Sequence, residues 1–249
     1  MGNIDQAVYS LLYKVIYINK GMRDKFGLFN RLGLRLMLNY SNRVDRRLII
    51  KKPYEPDALR HFEDSIRTEA FDLVLDIGAN IGLYSLLAAK NGCKGVIAFE
   101  PHDRNVYQLK ANVLLNNFIG LIEVHDYGLS DVNGIVSFLK ETGRNTGSSR
   151  IEATAPAETI MERYEKGSVK VRIFDDHFAY NGCKAFVKID VEGHELNVVK
   201  GMKNFLTANK CVVQAEVFEN NFVEFQRYLT EIGYRIRHEF EDDRVFANY

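Results

Sequence analysis

The run Leu73-Val-Leu-Asp76-Ile77-Gly78-Ala-Asn80-Ile-Gly82 constrains the fold more than any other part of the chain. A short, almost continuous apolar stretch ends at a glycine, the pattern of a strand buried on both faces. Ile81 to Asn91 follows directly, with Leu83, Leu86, Leu87 and Ala88 at helical spacing and Gly92 as a stop. The alternation then repeats. Val96-Ile-Ala-Phe99 ends at Glu100-Pro101, and a helix carrying Val106, Leu109, Val113 and Leu114 stops at Asn116-Asn117. A strand over 121–124, a strand over 185–189 ending at Asp190, a helix over 194–203, a strand over 211–217 and a helix with Phe222, Phe225, Tyr228 and Leu229 complete the pattern. Gly134 to Leu139 reads as an additional strand after the turn-former Asn133-Gly134, and 141–150 as a polar surface loop.

The expectation is an α/β fold: a doubly wound, Rossmann-like sheet of seven mostly parallel strands. Strands 234–240 and 244–248 are joined by a tight acidic turn, so the last strand is expected to be antiparallel. Charge divides the chain unevenly, +7 in residues 1–60 against −7 in 61–249. Val8, Leu11, Leu12, Val15 and Ile16 fall at helical spacing, as do Leu28, Leu32, Arg35 and Leu36. The division expected is therefore a basic helical N-terminal extension over 1–60 and a second domain over 61–249. The extension's apolar stripe suits packing on that domain or on a second copy in a homo-oligomer, with peripheral contact to an anionic membrane as the alternative.

A formal net charge of zero disfavours a general nucleic-acid binder. Three widely spaced cysteines, Cys93, Cys183 and Cys211, exclude a disulfide framework and suit a reducing cytoplasm. No apolar run is long enough to span a bilayer, and the stretch from Ala7 to Ile18 is broken by Ser10 and Lys14 without a signal-peptide pattern.

Ligands of such sheets bind beyond the carboxyl ends of the strands, which singles out Asp76, Gly78, Asn80, Glu100, Asp126, Asp190 and Glu216. The first turn is not a dinucleotide fingerprint, because Asn80 and Leu83 stand where GxGxxG needs glycine. An acid at Asp76 suits an ammonium group rather than a pyrophosphate. Glu100, 22 residues after Gly78, is placed to accept from both hydroxyls of a ribose. A ligand with a ribose, an ammonium and no phosphate is S-adenosylmethionine.

Over roughly residues 70–220 the chain resembles the FkbM-type methyltransferases of the class I S-adenosylmethionine-dependent fold. The resemblance rests on Val74-Leu-Asp-Ile-Gly-Ala-Asn-Ile-Gly82, Ala98-Phe-Glu-Pro-His102 with Asn105 and Asn112, Gly128-Leu-Ser-Asp131, Gly147-Ser-Ser149 and Lys188-Ile-Asp-Val-Glu-Gly-His-Glu195. It implies O-methylation of a sugar, a glycan precursor or a secondary metabolite. It also implies cofactor binding by Asp76, Gly78, Asn80 and Glu100, with Asp126 near the adenine.

A hydroxyl nucleophile needs a base or a metal. Asp190, Glu192 and His194, after the fourth strand, are the expected catalytic groups. With Glu216 they also offer a ligand set for Mg²⁺ or Mn²⁺, an alternative to a metal-free base. Asn145, Ser148 and Ser149 in the polar loop, and Glu216, are the expected acceptor contacts. The competing readings are a nicotinamide-dependent dehydrogenase and a non-catalytic binding module on the same fold.

Overall fold

The computed structural model describes residues 25–141, 146–154, 161–240 and 243–249. It opens with β1 (Phe26–Arg31) and β2 (Leu34–Asn39), an antiparallel hairpin followed by α1 (Arg43–Ile49) and α2 (Pro56–Glu69). Sequence spacing had suggested a helix through Leu28, Leu32, Arg35 and Leu36, and the hairpin corrects this. Leu34, Leu36 and Leu38 alternate at period two and all three are buried. Leu32 and Gly33 both adopt positive φ (52° and 73°), as a two-residue hairpin turn requires. The expected helix around Val8 to Ile16 lies outside the described residues.

The main sheet contains β3 (Leu73–Ile77), β4 (Val96–Phe99), β5 (Ile122–His125), β10 (Lys184–Ile189), β11 (Lys210–Glu216), β12 (Arg235–Phe240) and β13 (Asp243–Ala247). Their order is β12-β13-β11-β10-β3-β4-β5. The sheet is mixed: β13 runs antiparallel to both neighbours, and the pairs from β11 to β5 are parallel. Alternate residues of the strands feed two cores. On one face Val74, Val96, Ala98 and Phe186 meet α2, α3 (Leu83–Lys90) and α4 (Asp103–Leu115) through Phe62, Leu87 and Leu109. On the other, Leu75, Ile97, Val187 and Val213 meet α5 (Glu195–Gly201), α6 (Lys203–Ala208) and α7 (Glu219–Glu231) through Val199, Leu206 and Phe225.

The additional strand after Asn133-Gly134 does not enter this sheet. As β7 (Gly134–Glu141) it pairs with β9 (Tyr164–Arg172). With β6 (Gly128–Leu129) and β8 (Arg150–Ile151) they form a separate four-stranded sheet.

The boundary expected after residue 60 falls inside α2. Leu34, Leu36, Leu38, Leu48 and Ile49 belong to the same buried cluster as α3 and α4. In place of a third strand, β2 meets polar side chains of α4. Met37 N donates to Asn112 Oδ1 at 2.7 Å, Gln108 Nε2 donates to Met37 O at 2.9 Å, and Asn116 brackets Arg35. Asn112 also donates to Ile81 O at 3.0 Å, so one side chain ties the hairpin to the turn after β3.

Candidate functional site

The chain runs β3, β4, β5 toward one edge and then returns to β10 on the far side of β3. The crevice between β3 and β10 opens where strand order reverses, the usual ligand position in open α/β sheets. Gly78 follows β3 there with φ +82°, and an added Cβ would overlap the Asp190 carbonyl. Only glycine lets the two strand ends approach so closely.

A cavity lies between this crevice and the small sheet. Its polar side holds Gly78, Asn80, Glu100, Asn105, Asp190, Glu192 and His194. Its apolar wall is Leu129, Phe138, Ile151, Val169 and Val171. Glu100 is 4% exposed and accepts from Asn80 N at 2.8 Å and His102 N at 2.7 Å, with the Asn105 side chain as a further partner. Burial outweighs these bonds and pushes its pKa up to about 7. An ionised carboxylate has about four lone-pair sites, so the three donors leave about one open. The two ribose hydroxyls expected on Glu100 therefore cannot both bind unless Asn105 yields, and Asn105 enters the site as a residue that sequence reasoning had not assigned to it. Asn80, at φ 51°, has a buried Oδ1 without a partner among the described residues.

A second cavity of about 380 Å³ adjoins the first and shares Asn80, Gly147, Asp190 and Glu192 with it. Glu216, Asp243 and Glu55 make its acidic side, and Arg43, Arg47 and Tyr54 line it from the N-terminal segment. Asp190 faces both cavities and has no side-chain hydrogen bond among the described residues. Burial, and next the neighbouring Glu216, push its pKa well up. Glu216 is raised to about 7, chiefly by burial.

Beneath them Lys188 is 1% exposed and pairs with Asp243 at 2.7 Å. Gln214 donates to the same Asp243 oxygen at 3.1 Å. Tyr84 donates to Glu55 at 2.9 Å and holds it in place.

Several expected roles change. Asp76 lines neither main cavity. It is 2% exposed, and its Oδ2 accepts from Ser85 N at 2.9 Å and Ser85 Oγ at 2.5 Å, which fastens the start of α3; a smaller cavity shared with Gly78, Asn80 and Asp190 also reaches it. Asp126 is exposed and does not line the first cavity, whereas Gly128 and Leu129 do. His194 lines the first cavity and not the second, its Nε2 lies 2.9 Å from Ser130 Oγ, and burial lowers its pKa.

Glu192 is held by Arg150 at 2.6 Å, which pins the loop leading into β8 over both cavities. Burial raises its pKa to about 6 against the opposing pull of Arg150. In the loop, Ser148 lines the second cavity and Ser149 the first, where Ser149 Oγ accepts from Glu141 N. Asn145 lies outside the described residues. Asp190, Glu192 and Glu216 line the second cavity and His194 does not, and no group of three or more His, Cys, Asp or Glu side chains among the described residues is arranged to hold a metal ion. The three cysteines are free thiols away from these cavities.

The profile of the FkbM methyltransferase domain matches residues 76–236. The chain belongs to the FkbM methyltransferase family. Hexuronic acid methyltransferase AglP of Haloferax volcanii is 32% identical over 165 residues, which cover 62% of either chain. AMB antimetabolite synthetase AmbE of Pseudomonas aeruginosa is 28% identical over 216 residues, 74% of this chain and 10% of that one. The chain thus spans less than two thirds of either relative. The crystal structure of methyltransferase FkbM from Methylobacillus flagellatus KT shares the fold, with a TM-score of 0.50 at 18% identity over 85% of this chain and 56% of that one. The FkbM match contains Glu100, Asn105, Asp190, Glu192 and Glu216, whereas Arg43, Arg47, Tyr54 and Glu55 precede it. Membership in a methyltransferase family leaves the nicotinamide reading without support.

Proposed function

We propose that the chain is an S-adenosylmethionine-dependent O-methyltransferase acting on a hydroxyl of a sugar, a glycan precursor or a related polyhydroxyl metabolite. The carrying observation is the wall between the two cavities, where one unpartnered carboxylate, Asp190, faces both. The first cavity fits the cofactor in chemistry. Its apolar wall suits the adenine, Glu100 and Asn105 suit the ribose hydroxyls, and the orphaned Asn80 Oδ1 is an acceptor for an ammonium. When bound, that cofactor supplies an electrophilic methyl group on a sulfonium.

The chain's own residues do the rest. Asp190 takes the proton of the attacking hydroxyl, and burial beside Glu216 raises its proton affinity above that of an ordinary carboxylate, which strengthens it as a base. Glu216 holds the acceptor from the next strand, and the Arg150–Glu192 pair closes the loop over the reacting groups. The AglP relative supports a sugar acceptor, and the reversal of strand order with helices on both faces supports a doubly wound, Rossmann-like arrangement. Three free thiols suit a cytoplasmic setting.

Incubation with methyl-labelled S-adenosylmethionine and a panel of sugars and uronic acids tests the reading. An O-methylated product formed by the wild type and lost in Asp190→Asn is expected. Cofactor binding without transfer to any hydroxylated acceptor would favour a binding module instead.

A further inference from the structure

We propose that the methyl acceptor carries an anionic substituent, a carboxylate or a phosphate ester, which pairs with Arg43 and Arg47 while its hydroxyl faces Asp190. The inference rests on the methyltransferase reading and adds the chemistry of the acceptor. Arg43 and Arg47 lie four residues apart on α1, so they share one face of the helix. Both line the second cavity. Asp45, on another face of α1, is buried against Asn39 and Gln108. Among the described residues neither arginine has an ion-pair partner, although the cavity they line is rich in carboxylates. Two unpaired guanidiniums on one wall are suited to bidentate binding of a carboxylate or phosphate.

The carboxylates that line the same cavity add a second requirement. Asp190 and Glu216 repel an anion and accept hydrogen bonds from hydroxyls. An acceptor that carries both an acid and a free hydroxyl satisfies both sets of side chains, and a neutral sugar satisfies one. The volume of about 380 Å³ falls within the usual range for small-molecule sites. The arginine wall is also held in place. Asn42 caps α1 and donates through Nδ2 to Thr146 Oγ1 at 2.5 Å, so α1 is fastened to the loop that covers the site. These arginines precede the matched family domain and line the second cavity rather than the first.

Isothermal titration in saturating S-adenosylhomocysteine tests the proposal with three probes: glucuronate, glucose 6-phosphate and glucose. Wild-type protein is compared with the double variant Arg43→Gln/Arg47→Gln, whose fold is checked by circular dichroism. At least one acid is expected to bind about tenfold or more tightly than glucose. The double variant is expected to lose that preference while its affinity for S-adenosylhomocysteine stays the same. Comparison of the two acids shows whether carboxylate or phosphate is preferred. Equal binding of acids and glucose, no acid binding, or an acid preference that survives in the double variant overturns the proposal. Failure to bind S-adenosylhomocysteine at all would refute the cofactor reading instead, so the two failures are distinguishable.

Discussion

Asp190 and Glu216 stand side by side at the carboxyl ends of neighbouring parallel strands, following the register partners Ile189 and Ala215, and both line the second cavity. Glu216 raises the proton affinity of Asp190 beyond what burial alone would do. A base works only when deprotonated, so kcat should rise with pH along an acid limb displaced above the ordinary carboxylate range. Glu216→Gln removes the like charge beside Asp190 and should move that limb to lower pH. A kcat–pH profile of both proteins checks this; an unmoved limb would detach Glu216 from the titration of the base.

Glu100 yields a second pH prediction with a different readout. Burial pushes its pKa up to about 7, so it takes up a proton below neutrality. A ribose hydroxyl donates to the ionised form and therefore favours it. Affinity for S-adenosylhomocysteine should rise as pH increases toward about 7 and then level off. Glu100→Gln should bind more weakly and lose this dependence. Titrations from acid to mildly alkaline pH decide the matter, and a wild-type affinity flat across that range would mean Glu100 does not meet the ligand.

The Asp76–Ser85 contact separates structure from binding. Asp76→Ala removes two hydrogen bonds to a buried carboxylate at the start of α3, and bonds to charged groups contribute about 1.5–3 kcal/mol each. Urea unfolding should show a loss of that order. Affinity for S-adenosylhomocysteine, measured where the variant is folded, should fall far less than in Glu100→Ala. A larger loss in Asp76→Ala than in Glu100→Ala would restore Asp76 to the cofactor site.

Removing residues 1–60 should prevent folding. The deletion takes Leu34, Leu36, Leu38, Leu48 and Ile49 out of the core, at about 1.5–3 kcal/mol for each buried side chain. Their sum rivals the total stability of an ordinary domain, about 5–15 kcal/mol. A soluble 61–249 fragment with cooperative unfolding would contradict this.

The strand and helix alternation from Phe71 was legible because each buried strand is a short apolar run and each helix a repeating stripe. The main sheet, its antiparallel last strand and the placing of Glu100 and Asp190 at strand ends followed from that. The hairpin was not legible in the same way. Leu28, Leu32 and Leu36 fit helical spacing, while Leu34, Leu36 and Leu38 fit a strand, and tertiary burial chose the strand. Strand β9 escaped notice because its pattern is mostly exposed and needs β7 as a partner. Asp76 misled because a carboxylate at a strand end reads the same whether it meets a ligand or Ser85. Arg43, Arg47 and Glu55 reach the acceptor cavity through folding of a segment that carries no motif.

The most direct measurement is isothermal titration of the wild-type protein with S-adenosylhomocysteine and, separately, with NAD. The account predicts one molecule of S-adenosylhomocysteine per chain and no heat of binding with NAD. Binding of NAD, or the absence of any binding by S-adenosylhomocysteine, would contradict it.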